Sequence, residues 1–202
     1  MLEMLVAMAI ALTVLLVVYQ FVDWSRRTFV RQSDQAEAHS LGRAAMNLMA
    51  SEIRTAGYNP MGVRFLALPS GSATAVRVVA DHDGDGVVGV AGELNENITY
   101  QFVGPDSEGL YRLRRGVDLN GDGDFLDKGE SVDEVATRVV PVDIDLDSTD
   151  EPFIVYDSGS VPNTTRVTLT FGVRSARKDV PVAEYDVARF QTAVSLRNRF
   201  LQ

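Results

Sequence analysis

Met4-Leu5-Val6-Ala7-Met8-Ala9-Ile10-Ala11-Leu12-Thr13-Val14-Leu15-Leu16-Val17-Val18-Tyr19-Gln20-Phe21-Val22 is the stretch that decides the fold. It is almost wholly apolar and about long enough to cross a hydrocarbon core of roughly 30 Å as a helix. A cleaved signal peptide would have a basic start, a shorter apolar run and a small-residue cleavage site. Here Glu3 precedes the run instead. Downstream, from Asp23 to Gly57, there is no proline and Gly42 is the single internal glycine. Leu41, Ala45, Leu48, Ile53 and Ala56 recur at helical spacing with Met49 beside them, while Arg43, Asn47, Ser51, Glu52 and Arg54 fall mostly on other faces. Gly57 supplies a C-cap, and Asn59-Pro60 enforces the stop. The spacing predicts one continuous helix, with residues 1–24 in lipid. Its amphipathic half belongs to a globular domain of residues 25–202. Trp24, with Tyr19 and Phe21, reads as an interfacial anchor, and Arg26, Arg27 and Arg31 as a headgroup-contacting stretch.

After Pro60 the pattern changes to period two with β-branched runs. Strands are predicted at Arg64–Leu68, Ala75–Ala80, Asn97–Val103, Leu110–Arg114, Val135–Leu146, Phe153–Tyr156, Arg166–Arg174 and Ala188–Asn198. Clean alternation, as in Arg166-Val167-Thr168-Leu169-Thr170-Phe171, suits an antiparallel sheet with one covered face. The long helix is the natural cover. The expected fold class is therefore α+β, a long N-terminal helix laid on an antiparallel β-sheet.

The formal net charge of -9 argues against nucleic-acid binding, which needs a basic face to displace counterions. There is no cysteine, so thiol catalysis and thiolate metal sites are excluded. Two histidines, His39 and His82, leave little for a zinc centre; both read as surface residues. With no phosphate loop or nucleophile elbow, the chain is not expected to be an enzyme.

The acidity is concentrated in two segments built on one plan. Asp81-His82-Asp83-Gly84-Asp85-Gly86 leads to Gly92-Glu93, and Asp118-Leu119-Asn120-Gly121-Asp122-Gly123 leads to Gly129-Glu130. Oxygens at alternate positions with a glycine at the sixth are the start of a calcium loop. Alternation lets the side chains converge, and the glycine permits the turn. An EF-hand carries its glutamate at position twelve, where this chain has Gly92 and Gly129; Glu93 and Glu130 come one residue later. The predicted flanks are strands. A solvated acidic turn would account for one such copy, whereas two copies of like spacing point to Ca²⁺. The expected ligands are Asp81, Asp83, Asp85 and Glu93 in one loop and Asp118, Asn120, Asp122, Asp124 and Glu130 in the other. The second is expected to be the tighter, and the role structural.

The segment from Leu2-Glu3-Met4-Leu5 to Ile10 and onward resembles the start of a mature type IV pilin, where a glutamate follows two aliphatic residues and precedes a long apolar run. Met1 stands where the first of those aliphatics would be. Leu48-Met49-Ala50-Ser51-Glu52-Ile53-Arg54-Thr55-Ala56-Gly57-Tyr58-Asn59-Pro60 and Phe190–Arg199 are similar to the PilW family of minor pilins. This resemblance implies a pilin-like fold and a structural role: helping to initiate or cap a type IV pilus. It implies partners among other major and minor pilins, joined through the N-terminal helix, with Glu3 acting in assembly. It also implies residence in the bacterial inner membrane as a single-pass protein, domain in the periplasm, before passage into the extracellular pilus. The positive-inside rule applied to Arg26, Arg27 and Arg31 alone would put the domain in the cytoplasm. A basic leader, as pilin precursors carry, would reverse that. Two alternatives remain at this point: a J-type minor pseudopilin of type II secretion, or a membrane-tethered calcium-dependent adhesion module.

Overall fold

The computed structural model describes residues 2–88, 96–118, 125, 130–178 and 185–197. Helix α1 runs without a break over Leu2–Thr55. At 1.5 Å per residue it is about 80 Å long. Gly57 follows with φ +74, the left-handed cap that its sequence position predicts. The strands are β1 (Ala75–Val79), β2 (Asn97–Val103), β3 (Tyr111–Val117), β4 (Ser131–Val140), β5 (Ile154–Tyr156), β6 (Arg166–Lys178) and β7 (Tyr185–Ser195), with one 3-10 turn at Val161–Asn163. All strand pairs are antiparallel, in the order β1-β2-β3-β4-β6. β5 lies beyond β4 along one side of β6, and β7 pairs along the other. The α+β expectation is met: one long N-terminal helix lies on an antiparallel sheet.

The helix divides by exposure. From Leu2 to Val22 every residue is exposed, and this part holds a window of mean hydropathy 2.5, long and apolar enough to span a membrane. The second half docks on β6 and β7. Arg31 pairs with Asp186 at 3.2 Å, and Gln35 donates to the same carboxylate at 2.9 Å. Arg31 is thus tied to the sheet, not to the headgroups its sequence position suggested; Arg27 pairs with Asp23 along the helix. Farther on, Ala38, Gly42, Ala45, Met49, Ile53 and Ala56 form the buried stripe. These residues are mostly small because the axis lies close to the sheet: a Cβ on Gly42 would sit 2.1 Å from the Phe190 ring. Two expectations are corrected. Leu48 is turned to the exposed rim, because its turn of the helix places it at the edge of the stripe that Ala45, Met49 and Ile53 define. Glu52 faces the sheet, where Tyr100 and Arg115 hold it.

Tyr100, Phe102, Leu113, Val139, Val167, Leu169, Phe171, Val173 and Val194 meet this stripe in one core. Two predicted strands differ most, while those predicted at Leu110–Arg114, Arg166–Arg174 and Ala188–Asn198 are found as Tyr111–Val117, Arg166–Lys178 and Tyr185–Ser195. Arg64–Leu68 forms no ladder, although Ala67 accepts from the Val79 amide at 3.0 Å and so runs beside β1. The strand predicted over Val135–Leu146 starts earlier, at Ser131, and ends at Val140; Pro141 has no amide to continue it. Within β4 the register shifts opposite Leu113, and Arg138 takes φ +56. The bulge aims Arg138 at Glu37 of the helix, 2.6 Å away.

Candidate functional site

Antiparallel order puts the first two acidic loops at the same end of the sheet. One joins β1 to β2, the other β3 to β4, and Ile98 stands opposite Val117 where the first loop ends and the second begins. The C-terminus of α1 arrives at this end too. Gly57 donates to the Val79 carbonyl at 2.8 Å, Asp81 donates to the Tyr58 carbonyl at 2.8 Å, and the Tyr58 ring stacks on His82. His82 is exposed, as expected from its place in the loop, and so is His39.

In the first loop Asp81 is buried, while Asp83 and Asp85 are exposed, and one oxygen from each lies within 4.8 Å of the others. The backbone organises them. Asp81 accepts from the amides of Gly84 at 2.7 Å and Gly86 at 3.1 Å. Asp83 accepts from Asp85, and Asp85 from Val87. Gly84 and Gly86 both take φ +81, so the glycine expected at the sixth position does turn the chain left-handed. A Cβ on Gly86 would also meet Val63 at 2.8 Å. Glu96 closes the loop from below: its Oε1 accepts from His82 at 2.6 Å and Asp83 at 3.2 Å. The sequence reading missed Glu96 because it sought the acidic residue at Glu93, which lies outside the described residues.

In the second loop, Asn120, Asp122 and Asp124 also lie outside the described residues. Asp118 is fully buried and bound to Arg77 at 2.9 Å, with Arg77 also donating to Asn97. Its carboxylate is therefore committed at least in part to a guanidinium that links the two loops. Phe125 is buried against Gly116 and anchors the loop onto β3. Glu130 is half-buried just before β4.

A third acidic loop went unread in the sequence. Asp143, Asp145 and Glu151 bring one oxygen each within 4.8 Å at the opposite end of the sheet, where Tyr111 stands opposite Val139. Its bonds repeat those of the first loop. Asp143 accepts from Leu146 at 2.6 Å and Ser148 at 2.8 Å, Asp145 from Asp147, and Asp147 from Thr149. Glu151 accepts from Ile144 and Asp145 as Glu96 does from His82 and Asp83. Leu146 and Ser148 take φ +65 and +74, where the first loop has glycines. The Thr149 hydroxyl and amide hold the Asp147 carboxyl below the usual carboxylate range.

Two acidic clusters among the described residues could thus hold a metal ion. Glu3, in the first turn of α1, is exposed at the far end of the molecule, where its charge complements the helix dipole. No protein-family model, curated protein or solved structure matches this chain.

Proposed function

We propose that this chain is a structural subunit of a type IV pilus, a minor pilin that helps to initiate or cap the filament from a membrane-anchored state. One observation carries the reading. The apolar half of α1 is continuous with the half that the sheet covers, yet every residue from Leu2 to Val22 is exposed. Helical continuity across the boundary makes the domain a rigid extension of the anchor. A flexible tether would need no such helix. In lipid the exposed half is solvated by acyl chains; in a filament its neighbours would be the same halves of other subunits. Glu3 then has a partner only in the second setting. Calcium is the cation we assign to the acidic loops, since alternating hard oxygens suit it. Its role is to fix the long connections at the two ends of the sheet, the first loop at the end that receives the helix and the third at the opposite end.

The test is location. The full chain is expressed in a piliated bacterium, surface filaments are sheared off, and the fraction is probed for it. The expected result is recovery with the sheared filaments as well as with the inner membrane. Recovery in the membrane alone, with wild-type filament number after its deletion, would overturn the pilus reading and favour a membrane-tethered module. Loss of protein secretion with filaments intact would favour the pseudopilin.

A further inference from the structure

We infer that the outer edge of β7 is a docking edge for an extended segment of a different protein chain, which adds to the sheet as a further strand. The inference rests on the membrane-anchored state proposed above and adds to it a surface and a partner chemistry. Among the described residues β7 pairs with β6 and with no other strand. Their ladder keeps one register from Arg166 opposite Ser195 to Arg174 opposite Val187. The Leu196 amide donates to the Thr165 carbonyl at 2.9 Å, while the Thr170 amide donates away from β7, to Phe153. Alternation then turns the backbone groups of Ala188, Phe190, Thr192 and Val194 to β6. Those of Val187, Arg189, Gln191, Ala193 and Ser195 point the other way, and no described residue bonds them. The end strands β1 and β5 are covered, since Arg77 donates to Ser70 and Ile154 to Ala73. An open edge is a template for another strand unless proline, lysine or a bulge blunts it. Between Val187 and Ser195 there is none of the three.

Geometry decides what can occupy this edge. Asp186 meets Arg31 and Gln35 of α1, and farther on Phe190 meets His39 and lies against Gly42. About 13 Å of strand thus follows about 11 Å of helix, so β7 runs alongside α1 in the same direction. A second copy that paired its β7 antiparallel would point its helix the opposite way, and the two apolar halves could not enter one bilayer. Paired parallel about a two-fold axis, Gln191 would stand level with Gln191, both turned to the seam. A parallel ladder instead needs a residue that bonds across to lie level with one that does not. The occupant is therefore another chain. Its chemistry follows from the two faces of β7. Arg189 is exposed on the face away from α1 and is not ion-paired among the described residues. Phe190 is half-buried on the face toward α1. The strand that fits alternates to match, with Asp or Glu on the first face and apolar residues on the second.

The experiment is photo-crosslinking in a piliated bacterium that expresses the full chain. The probe, p-benzoylphenylalanine, replaces Ala193 on the edge or, as a control, the exposed Gln101 of β2. Gln191→Pro is the decisive variant, because it removes an outward amide and leaves the bonds to β6 in place. Gln191→Ala controls for the side chain's bond to Thr170. The expected result is an adduct of the Ala193 probe with a second protein, absent with the Gln101 probe. Mass spectrometry should place the joint in a segment of the stated alternation. Gln191→Pro should cut the yield about tenfold, Gln191→Ala should not, and the two variants should melt alike in detergent. No adduct, an adduct with the chain itself, or a yield indifferent to Gln191→Pro would overturn the inference. Should Gln191→Pro fail to fold, Arg189→Glu takes its place: it reverses the charge that the partner strand meets, and its yield is judged by the same criteria. An adduct in the membrane fraction, with the chain missing from sheared filaments, would overturn the pilus reading alone. Recovery in filaments without an adduct would overturn this inference alone.

Discussion

Glu52, on the buried side of α1, accepts a 2.6 Å hydrogen bond from the Tyr100 hydroxyl in the middle of β2. Arg115 of β3 meets the same carboxylate through two nitrogens, at 3.0 and 3.1 Å. One helix and two strands are thus joined at a single charged point. Breaking a fully buried pair costs about 3–5 kcal/mol. The Arg115 and Glu52 side chains are 12% and 19% exposed. Glu52→Ala should therefore cost less, about 2 kcal/mol. Tyr100→Phe removes one donor from a carboxylate that Arg115 still holds and should cost about 1.5 kcal/mol, the low end for a bond to a charged group. Urea unfolding of the full chain in detergent checks both, and a Glu52→Ala loss no larger than that of Tyr100→Phe would show that the cluster does not pin the helix.

Alkaline pH should attack the same point. Burial first, and then the bond to Glu52, push the Tyr100 phenol far above its ordinary value. Burial raises Tyr156 as well, whose hydroxyl donates to the Ala75 carbonyl. Both folded-state values exceed the unfolded one, so this contribution is complete below about pH 10 and is lost as pH rises beyond it. Stability should hold flat from neutrality to near pH 10 and then fall, with Tyr100 contributing up to about 1.4 kcal/mol per pH unit. Tyr100→Phe should make that fall shallower. An alkaline limb of unchanged slope in the variant would assign the loss to other groups.

The approach of Gly42 to Phe190 gives a prediction of sign. Alanine is the better helix former by about 1 kcal/mol, yet its Cβ would fall 2.1 Å from the ring. Gly42→Ala alone should be neutral or destabilising, and Gly42→Leu should lose about 1–3 kcal/mol by overpacking. In a Phe190→Ala background the obstruction is gone, so Gly42→Ala should become stabilising. Additive effects in this double-mutant cycle would mean the helix and β7 do not meet as described.

Much of this architecture was legible before the fold was known, for physical reasons visible in particular residues. The helix was plain because nothing from Glu3 to Thr55 interrupts it and Gly57 ends it. β2 was placed to the residue, since Asn97–Val103 alternates between two turn-rich loops. The third acidic loop was hidden by that same rule. Asp143-Ile144-Asp145-Leu146-Asp147 alternates charged and apolar residues as a half-buried strand does, because ligand loops and strands share a period of two. A glycine at the sixth position would have distinguished them, but Ser148 adopts the left-handed conformation there instead. Glu52 was misplaced because a charge on an amphipathic helix reads as solvent-facing until its partners are known. Those partners, Tyr100 and Arg115, are remote in sequence. Glu96 was missed because ladder pairing with Ala80 sets its position, and spacing along the chain does not show that.

Glu3 should act in assembly and not in folding. It lies in the first turn of α1, far from Arg31, where the helix first bonds to the sheet, so the packing of helix on sheet has no use for its charge. The resemblance to pilins implies that it meets the N-terminal amine of a neighbouring subunit. Both charges would then lie in a poorly hydrated bundle of helices, where a lone charge is expensive and a paired one is tolerated. On that resemblance the amine would be created by removal of a leader, so processing and docking would be coupled. Glu3→Ala should leave membrane insertion unchanged, along with the melting temperature of the full chain in detergent. It should lower filament number, or recovery of partner pilins with the chain, by severalfold. Glu3→Gln should behave like Glu3→Ala, because the amide keeps the shape and loses the charge. Normal piliation and normal partner recovery in both strains would mean that the carboxylate is only an interfacial residue at the membrane edge.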